Sequence, residues 1–262
     1  MSKYEKVDVA LVGGGIMSAT LAAMLNHLDP KLKITAFERL GAVAMESSNP
    51  WNNAGTGHAA LCELNYMPDS KDGSLPDPAK AIAINEQFQL SKQLWASFVK
   101  LGLLGDPKSF IHATPHMTFV RGEKDCDYLK RRAQVLQKQP LFEGFEFTTS
   151  HKRIAAWTPL LIEDRNQSEV IAATRITSGT DVDFGAITEQ LFSSLASKKI
   201  QIQLNSEVVS IRRINEGWHL TVKNGLTGEK RFVESKFVFV GAGGWALKLL
   251  QKARIPEAKG YG

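Results

Sequence analysis

A glycine-rich turn near the N-terminus combines residues that can bind the phosphates of a nucleotide. Gly13 and Gly15 follow the apolar run of residues 7–12 and precede a run rich in small residues that starts at Ile16. Gly13 allows a tight turn, and Gly15 lets backbone N–H groups approach a pyrophosphate that the positive end of the following helix attracts. Glu38, which ends a second apolar run, can accept hydrogen bonds from ribose hydroxyls. These residue types and spacings predict a site for the ADP half of a dinucleotide.

Ser18 occupies the position of the third glycine in this fingerprint. Serine is small enough for close packing between a helix and a strand, so the pattern persists with this one departure. A strand before the turn, a helix after it and an acid at the end of the next strand all strengthen the prediction of a nucleotide site. The alternative is a structural glycine-rich turn that binds no ligand.

Hydrophobic periodicity indicates the elements that must position these residues. Helices are predicted over residues 16–28, 78–101, 125–136, 183–199 and 245–252. Strands are predicted over residues 7–12, 34–37, 110–120, 169–176, 200–204, 207–214, 218–222 and 230–233, followed by a buried strand over residues 237–240. Residues 40–58 carry almost no periodicity, and a long loop inside a compact domain is usually functional.

Two of the predicted helices carry an apolar face. The face of the second helix is formed by Ile84, Phe88, Trp95 and Val99. The face of the third helix is formed by Cys126, Leu129, Ala133 and Leu136. Helical spacing favours a core role for both faces. We expect the Lys and Arg residues that neighbour the apolar face of the third helix to point into water.

The order of the elements predicts the fold class. A βαβ unit, a long insertion, a three-stranded β-meander and a strand ending in glycines are typical of an α/β, two-domain FAD-binding Rossmann-like fold with an inserted α+β substrate domain. We place the first part of the FAD-binding domain at residues 1–67, the substrate domain at 68–182 and the second part at 183–262. An NAD domain would more often continue with regular βα alternation after Glu38.

Composition narrows the possible partners. The net charge is +5, and the basic pairs are dispersed rather than clustered with aromatic residues. Nucleic-acid binding is therefore disfavoured, whereas anionic substrates and an anionic membrane surface are favoured. We expect no membrane-spanning helix, no signal peptide and no metal site. The two cysteines lie in unrelated contexts and indicate a reducing compartment, by default the cytoplasm.

Several longer motifs resemble the malate:quinone oxidoreductase family over essentially the whole chain. More broadly, the plan is similar to the D-amino-acid-oxidase class of flavoenzymes. Family members are about twice as long, so the resemblance implies a C-terminally truncated chain. The motifs are Gly-Gly-Gly-Ile-Met-Ser-Ala-Thr at 13–20, Glu-Ser-Ser at 46–48, Trp-Asn-Asn-Ala-Gly-Thr-Gly-His at 51–58, Glu-Leu-Asn-Tyr at 63–66, Pro-His-Met at 115–117, Gly-Thr-Asp-Val-Asp at 179–183 and Phe-Val-Gly-Ala-Gly-Gly at 239–244.

The resemblance implies FAD as cofactor and assigns further contacts to it. Ser47 and Ser48 would donate to phosphate or cap the next segment, and Val208 would lie beside the adenine or be a buried strand residue. The contacts near the isoalloxazine ring would come from Asn53, Gly55, Thr56 and Gly57, with a glycine- and asparagine-rich turn as the alternative. The second glycine signature is Gly241, Ala242 and Gly243.

Three residues are candidates for catalysis or for binding the substrate. His58 is a candidate for proton transfer or substrate orientation, because imidazole titrates near neutral pH, and His116 is a second candidate. Arg175 could clamp a carboxylate through its bidentate guanidinium. The alternatives are a structural role for each histidine and a surface position for the arginine.

The resemblance implies oxidation of (S)-malate to oxaloacetate in the tricarboxylic acid cycle, with electrons passed to a membrane quinone. Such an enzyme would be cytoplasmic and peripheral on the inner face of the cytoplasmic membrane. Alternatives are a related 2-hydroxy-acid oxidoreductase, such as one acting on 2-hydroxyglutarate, and an inactive truncated nucleotide-binding fragment. An NAD-dependent dehydrogenase is the most distant alternative.

Overall fold

The computed structural model describes residues 4–70, 72–198 and 200–255. Its strands, numbered in chain order, are β1 (Glu5–Val12), β2 (Ile34–Phe37), β3 (Ile111–Ala113), β4 (His116–Arg121), β5 (Glu146–Thr148), β6 (Ile171–Ile176), β7 (Thr180–Val182), β8 (Gln201–Gln203), β9 (Ser206–Ile214), β10 (Gly217–Asn224) and β11 (Lys230–Val240). Its α-helices are α1 (Ile16–Leu28), α2 (Ala79–Lys100), α3 (Glu123–Leu136), α4 (His151–Trp157), α5 (Phe184–Ala196) and α6 (Ala246–Lys252). These elements confirm the α/β class.

The chain divides into two compact units. The first comprises the described parts of Met1–Ala54, Ser97–Phe110 and Asp183–Gly262, and the second comprises those of Gly55–Ala96 and Ile111–Val182. The division after Val182 coincides with the sequence-based boundary. The first division falls after Ala54 instead of residue 67, because the glycine-rich segment that begins at Gly55 packs within the second unit. Ser97–Phe110, which the sequence placed in the substrate domain, belongs to the first unit.

The first unit is built on a mixed sheet in the order β8-β2-β1-β11-β10-β9 within the described residues. Strands β8, β2, β1 and β11 are parallel, so their carboxyl ends lie at one edge. Strand β1 lies between β2 and β11. The connections that leave β1 and β11 run in opposite directions along the sheet, so the position between these two strands is a topological switch point. Ligands of open α/β sheets bind in the crevice at that position.

Strand β11 corrects the sequence-based strand assignment. The third strand of the meander and the strand over residues 237–240 are one continuous strand, Lys230–Val240. Its first half, from Lys230 to Ser235, pairs antiparallel with β10. Its second half, from Val233 to Val240, pairs parallel with β1. One strand therefore joins the meander directly to the parallel part of the sheet.

The expected burial of residues 237–240 is wrong. Phe237 is 51% exposed, and the three residues after it are half-buried. The reason is that β10 accompanies β11 only as far as Ser235, so in the described part of the chain the end of β11 has β1 as its single neighbouring strand. The core of this unit lies instead around Ala10, Leu220 and Val233.

The second unit contains a sheet in the order β4-β6-β5 and the pair β3-β7 among the described residues. Helix α2 begins where predicted, since the Asp77 carboxylate accepts a hydrogen bond from the N–H of Ala79 at 3.0 Å. The face predicted for α2 is wrong in part: Phe88 and Trp95 are buried, but Ile84 and Val99 are only half-buried and Phe98 is buried instead. None of the described helices is both long and apolar enough to cross a membrane.

Helix α3 confirms the predicted core stripe and corrects the expectation for its basic residues. The four predicted residues are buried, with Leu129 and Leu136 fully so. Arg132, which we expected to point into water, is also 0% exposed. Its position, three residues after Leu129 and four before Leu136, lies on the buried face of the helix. Charge alone therefore predicted its environment wrongly.

Candidate functional site

The turns that follow β1 and β11 touch one another. Gly13 has a φ of +103°, and a Cβ atom there would lie 2.4 Å from the carbonyl oxygen of Gly241. The N–H of Gly13 donates to the carbonyl of Phe37, at the end of β2, at 2.9 Å. Because only glycine tolerates both this backbone conformation and this contact, the residue type is fixed by geometry. The two glycine signatures thus form one structure at the carboxyl edge of the sheet.

Ser18 takes the place of the third fingerprint glycine through close packing. It is fully buried, and a Cβ atom on Gly241 would lie 2.4 Å from its Oγ. Glycine at position 241 therefore makes room for serine on the helix. On the next turn, Gly243 has a φ of +50°, and a Cβ atom there would lie 3.1 Å from the Oγ of Ser47. Ala242 lies between these two glycines.

Glu38 is 7% exposed and binds the glycine turn directly. Its Oε2 accepts a hydrogen bond from the N–H of Gly14 at 2.6 Å, and its Oε1 accepts one from the N–H of Leu40 at 2.8 Å. Each carboxylate oxygen keeps a second lone pair, so the side chain can still accept from a ribose hydroxyl. The sequence indicated the ribose role but gave no signal for the bond to Gly14.

Ser48 caps helix α1 from a distant position in the chain. Its Oγ accepts a hydrogen bond from the N–H of Ile16 at 2.9 Å, whereas Gly15, the N-cap residue, has no side chain to do so. The Ser48 hydroxyl hydrogen remains available as a donor beside the free N–H groups of the helix end. Ser47 is exposed next to it. The sequence suggested a cap for the following segment, and the cap is on α1 instead.

Two cavities in the described part of the first unit adjoin these residues. One of about 320 Å³ is bordered by the glycine turns, by Ser47 and Ser48, and by Met17 and Phe239. The other, of about 80 Å³, is bordered by Glu38 and Val208. Val208 is 5% exposed and also belongs to the core of the unit. The geometry offers backbone donors beside one cavity and an apolar wall with a carboxylate beside the other.

The sequence reasoning missed several residues of the smaller cavity, and among them Arg39 and Lys248 both contact Trp245. The Trp245 ring has the guanidinium of Arg39 at 4.6 Å and the Nζ of Lys248 at 4.8 Å from its centroid, which are cation–π distances. Arg39 also forms an ion pair with Glu46. The only available signal was that Arg39 directly follows Glu38 and that Trp245 directly follows the second glycine signature.

The segment around Gly55 and Gly57 is tightly packed. Both glycines have positive φ, and a Cβ atom would lie 2.2 Å from the Oδ1 of Asp181 at Gly55 and 2.2 Å from the ring of Phe88 at Gly57. Thr56 donates to the carboxylate of Glu63 at 3.3 Å. These contacts and backbone angles explain why glycine is required at positions 55 and 57 of the second unit. A role near a flavin ring stays a prediction.

Asn53 belongs to the first unit, where it braces the preceding loop. Its amide donates to the carbonyl of Ser47 at 3.1 Å and to that of Asn49 at 2.8 Å. The side chain thereby fixes the backbone that carries Ser47 and Ser48. The predicted contact of Asn53 with a cofactor stays a prediction.

The two candidate histidines lie in different environments of the second unit. His58 is exposed, has a φ of +56°, and places its Nδ1 2.9 Å from the hydroxyl of Tyr66. His116 is 6% exposed; its Nε2 lies 2.9 Å from the carbonyl of Thr180, and its Nδ1 lies 3.8 Å from the Sγ of Cys62. A carbonyl only accepts, so Nε2 of His116 carries a proton and Nδ1 faces the thiol.

Arg175 is half-buried on β6 and places its guanidinium over the ring of Trp157, 5.7 Å from the centroid. Burial raises the pKa of the Cys62 thiol, the neighbour of His116, to about 11, with Glu63 adding to the shift. No cluster of His, Cys, Asp or Glu able to hold a metal ion occurs among the described residues. The structure thus gathers the predicted nucleotide contacts in the first unit and gives His58, His116 and Arg175 separate partners in the second.

Comparison with solved structures supports the fold. Glycine oxidase from Geobacillus kaustophilus is similar with a TM-score of 0.68 and 18% identity, over 95% of this chain and 58% of that one. L-α-glycerophosphate oxidase from Mycoplasma pneumoniae, determined with FAD bound, is similar with a TM-score of 0.67 and 20% identity, over 95% and 57%. The fold class predicted from the sequence is confirmed by this likeness.

Sequence comparison identifies the family. Probable malate:quinone oxidoreductases from Leifsonia xyli subsp. xyli and Geobacillus kaustophilus are 54% and 53% identical, over 98% and 100% of this chain. The chain spans 52% of the length of each, about half of these curated relatives. The family model described as malate:quinone oxidoreductase (Mqo) matches residues 5–262. The chain therefore belongs to the malate:quinone oxidoreductase family.

Proposed function

We propose that the first unit binds FAD and that the chain is part of an enzyme oxidising (S)-malate to oxaloacetate, with a membrane quinone as electron acceptor. The observation that carries the proposal is the contact of the two glycine turns, Gly13 and Gly241, at the carboxyl edge of the sheet. Membership of the family supplies the substrate and the acceptor. The reaction belongs to the tricarboxylic acid cycle.

The residues of the first unit fit the ADP half of FAD. Gly13, Gly15 and the end of α1 offer a side-chain-free approach to backbone N–H groups, and the Ser48 hydroxyl adds a donor. Glu38 has spare acceptor capacity for ribose hydroxyls. Val208 supplies an apolar wall for adenine, and Trp245 supplies an aromatic surface. The positive charges of Arg39 and Lys248 suit a ligand with two phosphates.

The same proposal assigns the loop residues to the redox end of the cofactor. Asn53, Gly55, Thr56 and Gly57 would present backbone close to the isoalloxazine ring. When bound, the flavin supplies an acceptor for the hydride that leaves C2 of the substrate. The chain's own contribution is to position backbone donors and to exclude side chains from that approach.

Malate is a dicarboxylate, so its binding requires cations and a group that accepts the hydroxyl proton. We assign Arg175 to a carboxylate and His58 to the proton, since His58 is exposed and its ring has a hydroxyl partner in Tyr66. His116 has partners at both ring nitrogens, and its assignment is orientation of the surrounding backbone rather than proton transfer.

A quinone acceptor implies docking at a membrane. A lipid-soluble quinone is reached from the membrane surface, and the excess of basic residues favours attraction to anionic lipids. We propose a cytoplasmic protein that is peripheral on the inner face of the cytoplasmic membrane. No nucleic acid is involved in this proposal.

The deciding experiment is the visible absorption spectrum of the purified chain after addition of FAD and then of (S)-malate. Retention of FAD after gel filtration supports the cofactor assignment, and bleaching of the flavin band by malate, with reoxidation by a quinone analogue, supports the reaction. If 2-hydroxyglutarate bleaches the flavin band and malate does not, the substrate would be 2-hydroxyglutarate and not malate. If FAD is retained but no substrate bleaches it, the chain binds the cofactor without catalysing the reaction. Oxidation of malate with NAD as the acceptor would overturn the proposal.

A further inference from the structure

Arg132 is a fully buried cation that the proposed function does not use. It is 0% exposed, and its Nε and Nη1 atoms have no hydrogen-bond partner among the described residues. Burial lowers the pKa of its guanidinium, although arginine remains charged in proteins. A buried charge with unmatched donors is costly for stability, although the guanidinium carbon also lies 5.5 Å from the centroid of the Phe145 ring, a cation–π distance. Its presence therefore calls for a role other than general stabilisation.

The one hydrogen bond of Arg132 in the described structure ends on a strained segment. Its Nη2 donates to the carbonyl of Ala60 at 3.1 Å. Ala60 has a φ of +57° and His58 has a φ of +56°, so two residues with Cβ atoms adopt the left-handed conformation close together. This conformation is unfavourable for a residue with a side chain, and it persists only when surrounding contacts enforce it.

Helix α3 carries donors for the backbone of this whole region. Tyr128 donates to the carbonyl of Met67 at 2.6 Å, and Arg131 donates to that of Ser74 at 2.7 Å. Arg131 and Arg132 follow Tyr128 by three and four residues, so all three side chains lie on one side of the helix. Each of these three side chains thus binds a different backbone carbonyl, and the one bound by Arg132 is nearest in sequence to His58.

We propose that Arg132 is a positioning residue, which fixes the left-handed segment of residues 57–62 and thereby the placement of the His58 ring. The charge strengthens the bond to the Ala60 carbonyl, because hydrogen bonds from ionised donors are about twice as strong as neutral ones. The importance of this for catalysis rests on the role given to His58 under the proposed function. The positioning itself is a property of the second unit alone.

Amide hydrogen exchange measured on the chain without FAD or malate tests the positioning directly. In Arg132→Met we expect the amides of residues 57–62 to exchange about ten- to a hundredfold faster, the range that loss of a charged hydrogen bond gives. Arg132→Lys, which keeps a cationic donor, should restore part of the protection. The matched control is Arg131→Met on the same helix, which should loosen residues 72–74 and leave residues 57–62 unchanged.

Two outcomes would overturn the proposal. One is unchanged exchange of residues 57–62 in Arg132→Met, and the other is equal loosening by both methionine variants. If Arg132→Met does not fold, Arg132→Gln decides, because it keeps a neutral donor: unchanged exchange of residues 57–62 in that variant would show that the charge of Arg132 does not hold the segment. A second readout is a changed shape of the visible flavin band in the FAD-loaded variant. Failure to bind FAD would affect that readout and leave the exchange result standing.

Discussion

The hydroxyl oxygen of Ser48 accepts a hydrogen bond from the N–H of Ile16 at 2.9 Å, across 32 residues of sequence. This bond ties the loop after β2 to the first turn of α1, where the pyrophosphate is expected. Ser48→Ala should lower the free energy of unfolding by about 1 kcal/mol, as is typical when a helix cap is removed. It should also weaken FAD binding, because the phosphate would lose a hydroxyl donor.

Urea denaturation and FAD titration of Ser48→Ala measure the two effects. Ser47→Ala is the matched control, since Ser47 is exposed and caps no helix among the described residues. We expect the control to keep the stability of the unsubstituted chain. A Ser48→Ala variant with unchanged stability would contradict the capping role.

Gly13→Ala should disrupt the nucleotide end of the first unit. The new Cβ atom would lie 2.4 Å from the backbone oxygen of Gly241, and the φ of +103° is unsuitable for alanine. Backbone strain contributes about 1–2 kcal/mol and overpacking about 1–3 kcal/mol of destabilisation. Thermal unfolding and FAD retention measure the outcome.

Gly228→Ala is the control that separates backbone strain from overpacking in Gly13→Ala. Gly228 also has a positive φ, +77°, but a Cβ atom there would meet nothing within 4 Å. We expect this control to show only the strain contribution and to retain FAD as well as the unsubstituted chain does. Equal losses in both variants would mean that contact between the two glycine turns is unimportant.

The local pattern of residues was sufficient for much of the first unit. A glycine turn between an apolar strand and a helix, with Glu38 at the end of the next strand, has few alternative interpretations, and the fold is confirmed. The caps at Asp77 and Asp183 likewise determine where their helices begin. In these cases neighbours in sequence are also neighbours in space.

Long-range pairing explains the parts that the sequence could not predict. Strand β11 is continuous because β10 pairs with its first half and β1 with its second half, and a local pattern does not reveal the pairing with β1, 228 residues earlier in the chain. The cap from Ser48 to α1 and the bond from Arg132 to Ala60 both join distant segments. Polar side chains in such pairs have no periodic signal, so their burial was mistaken for exposure or missed.

Trp245 should report nucleotide binding through its fluorescence. Its ring borders the smaller cavity beside Glu38 and is 44% exposed, so a purine that enters the cavity would contact it. We expect ADP to quench the intrinsic fluorescence of the chain and Trp245→Phe to abolish most of that quench. Trp51→Phe is the control, because Trp51 is 93% exposed and does not border the cavity. A quench that survives Trp245→Phe would place the purine elsewhere.

Cys62 should be an unreactive thiol at neutral pH. Burial first, and then the charge of Glu63, raises the pKa of Cys62 to about 11 from the ordinary value of 9.0. Since the thiolate is the nucleophile, a shift of this size lowers its fraction at pH 8 by about a hundredfold. Alkylation by iodoacetamide, followed by mass spectrometry of the Cys62 peptide, should be correspondingly slow and should accelerate as the pH approaches 11.

The same shift predicts a dependence of stability on pH. The folded chain keeps the Cys62 proton to higher pH than the unfolded chain, so the stabilisation is complete below pH 9.0 and is lost as the pH rises towards about 11. Cys62→Ser should therefore flatten the fall in the free energy of unfolding over this interval, which urea denaturation at successive pH values measures. Cys126→Ser is the comparison variant, and it should also flatten the fall, because burial raises the pKa of the Cys126 thiol as well. An equally steep fall in Cys62→Ser would show that burial and the charge of Glu63 do not keep Cys62 protonated in the folded chain.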